Sequence, residues 1–199
     1  MEILRVGIIG TGRISDLHAI EYLQNERAKI VAVCDQDLEI ARQRGLAWWV
    51  PEKNIFRDYH DLLALPEVDL VEILLPHHLH YQATLDAAAA GKHISLQKPM
   101  ALSVAEADAM IAAARQAGVI FKVFENFVFY PPVQRAKALI EAGEIGDALT
   151  IRIKSNSATS PNEWRVPTSA RAWRFTPEQC GGGPLVFDDG HHKFSLAWF

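Results

Sequence analysis

Short runs of branched apolar residues alternate along this chain with stretches whose apolar positions recur every three or four residues. ILRVGIIG over 3–10 predicts a buried strand, and residues 13–25 read as the helix that follows it. KIVAVCD (29–35) predicts a second strand, with a helix at 37–44 after it and a weaker strand around Ile55. DLVEILLP (69–76) is a third strong strand, and HYQATLDAAAAG (80–91) is a helix stopped by Gly91. KHISLQ (92–97) is again a strand. SVAEADAMIAAARQAG (103–118) is the clearest helix: Ser103 and Glu106 make a capping box, Met110, Ile111 and Ala114 fall at helical spacing, and Gly118 ends it. VIFKVFEN (119–126) reads as one more strand.

Strands that are apolar throughout, separated by helices, predict a parallel sheet covered on both faces. Right-handed crossovers then make it a doubly wound α/β sheet. The pattern changes after Asn126. YPPVQRAKALIEAGEIG is a Pro-started helix ending at Gly143, and DALTIRIKSNSAT (147–159) alternates like a strand with one wet face. A domain boundary therefore falls near residues 122–127, dividing the chain into 1–124 and 125–199.

Composition narrows the classes of function. The net charge is −4 over 199 residues, and no run of Lys and Arg marks a face that tracks phosphates, which excludes a nucleic-acid partner. Cys34 and Cys180 lie far apart and suggest neither a disulfide framework nor a zinc site, so a reducing, cytoplasmic setting is expected. No apolar run approaches the ~18 residues of a membrane span, and the N-terminus has no signal-peptide pattern.

GTGRIS (10–15) follows the first strand and opens the first helix, the context a dinucleotide-binding turn requires. Gly10 allows the tight turn and Gly12 leaves room for a pyrophosphate. The helix N-terminus offers unpaired N–H groups, and Ser15 stands where a third glycine is usual. Gly10, Gly12, Arg13 and Ile14 are the expected cofactor contacts of the turn. Asp35 ends the second strand where a ribose-binding acid falls, which favours NAD over NADP. The alternative for Asp35 is a helix cap. Lys98 and Pro99 lie just past the carboxyl end of a strand, the edge at which open α/β sheets bind ligands. The alternative there is a surface lysine in a turn.

Together the segments VGIIGTGRIS, VAVCDQD, LLPHHLHYQATLDAAAAGKHISLQKPMALS, ENFVFYPPVQRAKALIEAGEIG and GGGPLVFDDGHH resemble the glucose-fructose oxidoreductase / inositol dehydrogenase (Gfo/Idh/MocA) family over the whole chain. The resemblance implies an N-terminal Rossmann domain and an α+β domain with a large antiparallel sheet, of which this chain holds only the start. It implies NAD as cofactor, with Pro76, His80, Gln97, Lys98 and Asn126 at the cofactor edge. The family usually carries Glu-Lys-Pro where this chain has Gln97-Lys98-Pro99, a departure that removes one negative charge beside the lysine. The family's Asp-x-Gly-x-His signature maps onto Asp188 and His192, four apart and on one face if a helix starts there. The implied mechanism has His192 take a substrate hydroxyl proton, Asp188 orient His192 or bind a neighbouring hydroxyl, and Lys98 stabilise the alkoxide; the alternative is that Asp188 is a helix cap and the histidines are ordinary buried polar groups.

The substrate side is expected along residues 163–175 and at His191. Trp164, Arg165 and Arg174, with His191, suit a sugar carrying an anionic group. Alternatively, the segment 163–175 is only an exposed connection. His77, His78 and His80 are not read as a metal site, and no metal is expected. The partner is then a carbohydrate-like small molecule, with neither nucleic acid nor membrane, and a full-length form is expected to be a homo-oligomer. A non-catalytic NAD-binding or regulatory protein, or an NAD-using glycosidase, is the alternative function.

Overall fold

The structure, a computed structural model, describes residues 3–154, 172–183 and 189–199. Six parallel strands form one sheet: β1 (Leu4–Ile9), β2 (Ala28–Cys34), β3 (Ile55–Phe56), β4 (Leu70–Ile73), β5 (His93–Leu96) and β6 (Phe121–Val123). Their order across the sheet is β3-β2-β1-β4-β5-β6. The order reverses between β1 and β4, and the crevice outside that point is where such sheets hold ligands.

Helices cover both faces: α1 (Ser15–Gln24), α2 (Leu38–Ala47), α3 (Tyr59–Leu63), α4 (His80–Ala89) and α5 (Val104–Ala117). Successive β1 residues feed opposite sides. Val6 and Ile8 join Ala19, Ile30 and Trp48 on one side, while Ile9 joins Leu62, Ile73, Ala87 and Met110 on the other. This two-sided burial is why the strands read as continuous apolar runs. Ser103 Oγ accepts the Glu106 N–H at 3.2 Å to start α5, and Gly118 stops it in the left-handed region at φ 67°.

The chain after β6 departs from the expectation. A Pro-started helix, α6 (Pro131–Glu141), forms as read. The strand expected over 147–159 does not form in its described part, 147–154, and Leu149, Ile151 and Ile153 are exposed there. Alternation marks a strand with one wet face, but a strand also needs a hydrogen-bonding neighbour, and none lies beside this segment among the described residues. Residues 155–159 are outside the described residues. Two further helices follow, α7 (Pro177–Cys180) and α8 (His191–Trp198). The segment carrying α7 is tied to the sheet edge, where His77 Nδ1 donates to the Cys180 carbonyl at 3.1 Å and packs edge-on against Trp173. No helix among the described residues is long and apolar enough to cross a membrane.

Candidate active site

The glycine turn leaves β1 and enters α1. Gly10 sits at φ 94°, and a Cβ there would stand 2.6 Å from the Leu74 carbonyl oxygen, so only glycine fits. A Cβ at Gly12 would meet nothing within 4 Å; the turn is open on that side. Buried Ser15 donates from Oγ to the Gly12 carbonyl at 2.6 Å. Arg44 Nη1, from α2, reaches the same carbonyl at 3.1 Å and pairs with Asp16 at 2.6 Å. Ile14 starts α1 and Arg13 is exposed in the turn. An open cradle followed by a helix N-terminus fits a dinucleotide pyrophosphate.

Asp35 lies beside this turn. Its Oδ2 accepts the Thr11 N–H at 2.7 Å, and its Oδ1 accepts the Asp37 N–H at 3.0 Å. The cap of α2 is Asp37, which accepts from Glu39 and Ile40, so Asp35 is not that helix's cap. Next to it Gln36, Asp37, Glu39, Arg42 and Arg57 line an open hollow. Arg42 is engaged by Glu52, and Arg57 follows the short β3, the weaker strand expected around Ile55.

Pro76 follows β4, and Gln97 and Lys98 follow β5, all half-buried on the same carboxyl edge. The Lys98–Pro99 peptide is cis. Gln97 Oε1 accepts the Lys98 N–H at 2.8 Å, and Gln97 Nε2 lies 3.1 Å from His18 Nε2. His80 requires a correction. It is fully buried, with Nδ1 2.8 Å from the Pro99 carbonyl and Nε2 2.8 Å from the Leu75 carbonyl, so it braces the lysine turn and presents no nitrogen to a cofactor. Burial outweighs those carbonyls and moves its pKa below the usual histidine range.

Past β6, Glu125 meets α8. His192 Nδ1 lies 2.8 Å from both Glu125 carboxylate oxygens, and its ring is 4.5 Å from that of Phe127. Asn126 is exposed and lines a small hollow with Phe127, Phe129, Tyr130 and Pro131. The His191 ring lies tilted against that of His192, 3.9 Å between centroids, with Nε2 3.8 Å from Glu125. Glu125, His191 and His192 thus bring three potential ligand atoms within 4.8 Å, away from the histidines at 77–80. The Arg174 guanidinium stacks on Trp173 at 4.4 Å. Asp188, Trp164 and Arg165 are outside the described residues.

Sequence reasoning missed three participants: Glu125, and the buried pair of His18 on α1 with Glu72 on β4, whose Nδ1 and Oε1 share a short hydrogen bond. Glu72 carried a signal, a lone acid within an apolar strand. Glu125 and His18 carried none beyond lying near Asn126 and one turn past the glycines.

A doubly wound parallel sheet, a glycine turn after its first strand and polar groups gathered at its carboxyl edge define a dinucleotide-binding α/β protein. Family comparison makes this specific: the chain belongs to the Gfo/Idh/MocA oxidoreductases. The model described as "Oxidoreductase family, NAD-binding Rossmann fold" matches residues 4–125, and the family's C-terminal domain matches 133–199. The chain is 34% identical over 96% of its length to the uncharacterized oxidoreductase YrbE of Bacillus subtilis, and 31% identical over 99% to levoglucosan dehydrogenase of Pseudarthrobacter phenanthrenivorans. It spans about half of each, 52% and 51%. A probable dehydrogenase from Thermotoga maritima superimposes with a TM-score of 0.81 at 29% identity, over 98% of this chain and 54% of that one.

Proposed function

We propose that the chain carries the cofactor-binding unit (1–124) and the start of the substrate unit (125–199) of an NAD-dependent dehydrogenase acting on a secondary alcohol of a sugar, polyol or sugar acid. One observation carries this reading. His192, joined to Glu125 past β6, and Lys98, past β5, stand on the carboxyl edge that also bears the glycine turn past β1. Levoglucosan dehydrogenase is named for a sugar substrate, which supports the carbohydrate class. Buried Cys34 and Cys180 are not joined in a disulfide, which supports a reducing, cytoplasmic setting.

Bound NAD supplies the hydride acceptor, and this chain supplies geometry and charge. Gly10, Gly12 and the start of α1 hold the pyrophosphate, and Asp35 accepts the ribose hydroxyls. Lys98 Nζ donates to the alcohol oxygen and stabilises the charge that develops on it. His192 keeps its proton on Nδ1, donated to Glu125, which leaves Nε2 to accept the hydroxyl proton. Glu125 thus orients His192, the role that the resemblance also implies for Asp188.

A screen of polyols, inositols, aldoses and uronates following NADH absorbance tests the reading. Lys98→Ala and His192→Ala are each expected to abolish turnover while NADH binding persists. Full activity in either variant removes that residue from the mechanism, and NADH binding with no turnover of any alcohol favours a regulatory role. Titration is expected to show NADH bound at least about tenfold more tightly than NADPH, equivalent to ~1.4 kcal/mol, because a 2′-phosphate would face the Asp35 charge. Asp35→Ala should narrow that gap; equal affinities in the unaltered chain would remove Asp35 from the ribose site.

A further inference from the structure

Glu72 is the side chain the proposed mechanism leaves unexplained. It stands in β4 opposite Ile8 of β1 and Ser95 of β5, and it is 0% exposed. A carboxylate in such a place is strongly disfavoured unless paired and hydrogen-bonded. Its Oε1 takes the short hydrogen bond from His18 Nδ1, and its Oε2 has no hydrogen-bond partner among the described residues. Tyr22, one turn along α1, titrates well above the usual phenol range because of burial and the Glu72 charge beside it.

The far side of the imidazole settles the proton positions. The Lys98 backbone N–H can only donate, so the Gln97 atom 2.8 Å from it is the carbonyl Oε1. Gln97 Nε2 is then the amide donor that faces His18 Nε2 at 3.1 Å. That nitrogen must accept, which leaves the proton of a neutral His18 on Nδ1, pointing at Glu72. Every bond in the series runs one way, and Phe124 packs edge-on against the His18 ring at 5.2 Å.

We propose that Glu72, His18 and Gln97 are positioning residues for Lys98. They form a one-way hydrogen-bond relay from the Lys98 amide through the Gln97 amide and the His18 imidazole to a negative charge buried in β4. The proposal rests on the dehydrogenase reading only for the role of Lys98. A glutamate at position 97 has no N–H to offer His18 Nε2, so the charge it would bring beside the lysine resides instead at Glu72, inside the sheet and away from solvent.

The relay is tested by Gln97→Glu, by Glu72→Gln added to it, and by Gln97→Leu. Nitrogen-15 imidazole spectra of the unaltered chain at neutral pH should show His18 protonated on Nδ1 alone. Gln97→Glu places carboxylates on both sides of the ring and should convert it to the doubly protonated form, with kcat reduced roughly ten- to a hundredfold. Adding Glu72→Gln lets the relay run in reverse: His18 donates from Nε2 to the new carboxylate at position 97 and accepts at Nδ1 from the new amide at position 72. The ring should return to a single proton, now on Nε2, and most of kcat should return. If Gln97→Glu does not fold, Gln97→Leu decides the question. It removes the acceptor of the Lys98 amide, whose hydrogen exchange should speed up about tenfold or more. An Nε2-protonated His18 in the unaltered chain, losses that add in the double variant, or unchanged Lys98 exchange in Gln97→Leu would each overturn the relay. If no alcohol is oxidised at all, the dehydrogenase reading fails while the spectra and the exchange still decide the relay.

Discussion

Two glutamate–histidine pairs stand in this molecule, one inside the sheet and one beyond its edge. Glu72 and His18 have side chains 0% and 15% exposed, and the histidine's second nitrogen faces a fixed amide. Glu125 and His192 come from segments 67 residues apart, past β6 and on α8, and the second nitrogen of His192 takes no hydrogen bond among the described residues. The chemistry of the pairs is the same. What differs is what remains for the far nitrogen to do. A pair closed on both sides fastens the chain, whereas a pair with one nitrogen left over is available to move a proton.

The largest expected effect separates the two on turnover. Glu125→Ala frees His192 to take the wrong tautomer and should lower kcat about 10²- to 10⁴-fold, the span of general acid–base catalysis, with NADH affinity nearly unchanged. Steady-state kinetics beside a binding titration checks this, and a kcat within about threefold of normal would make that pair structural as well.

Stability should separate them the other way. His18→Ala strands the Glu72 charge in the sheet and should cost about 3–5 kcal/mol. His192→Ala removes a buried imidazole but leaves Glu125, 18% exposed, within reach of water, and should cost less, about 1–3 kcal/mol. Urea unfolding reads both, and similar losses would erase the distinction.

His80 sharpens the comparison as a buried imidazole with no carboxylate. Its folded pKa is depressed by burial, so the unfolded chain binds the proton first. Stability from His80 should be full above the unfolded value of ~6.5 and fall as pH drops below it, toward the lower folded value. His80→Gln should flatten that part of the pH–stability curve; an unaltered slope would assign it to another histidine.

The smallest effect belongs to a half-buried pair at the opposite edge, Arg5 with Asp69, 2.5 Å apart. The Arg5 hydrogen bond holds the Asp69 carboxyl below the usual carboxylate range. Its contribution is present above the unfolded value of about 3.9 and lost as pH falls through the folded one. Arg5→Ala should cost under about 1 kcal/mol at neutral pH and progressively less as acid protonates Asp69, as read by urea unfolding across a pH series.

The parallel sheet was legible in the sequence because burial on both faces leaves its strands apolar from end to end. Ser103 and Gly118 announced the ends of α5 through backbone chemistry that is local. The glycine turn was legible for the same reason: its constraint lies within a few residues. Glu125 and His18 were not legible, because each acquires its role from a partner 67 or 54 residues away, and spacing along the chain does not report contacts made by folding. His80 was misread because a histidine near a ligand edge and a histidine bracing that edge have the same sequence neighbourhood; only its two carbonyl partners tell them apart. The strand expected at 147–159 followed the alternation, but over its described part, 147–154, no neighbour among the described residues pairs with it.

Arg44 bears on the thermodynamics of cofactor capture. By gripping the Gly12 carbonyl, the Ser15 hydroxyl and Asp16 at once, it ties the glycine turn to α2 before any ligand arrives. The turn then has little conformational freedom left to lose, so the entropic penalty of closing around a pyrophosphate is met during folding rather than at binding. Association should accordingly be fast and its enthalpy modest, and loosening Arg44 would slow capture without removing a single contact to the cofactor.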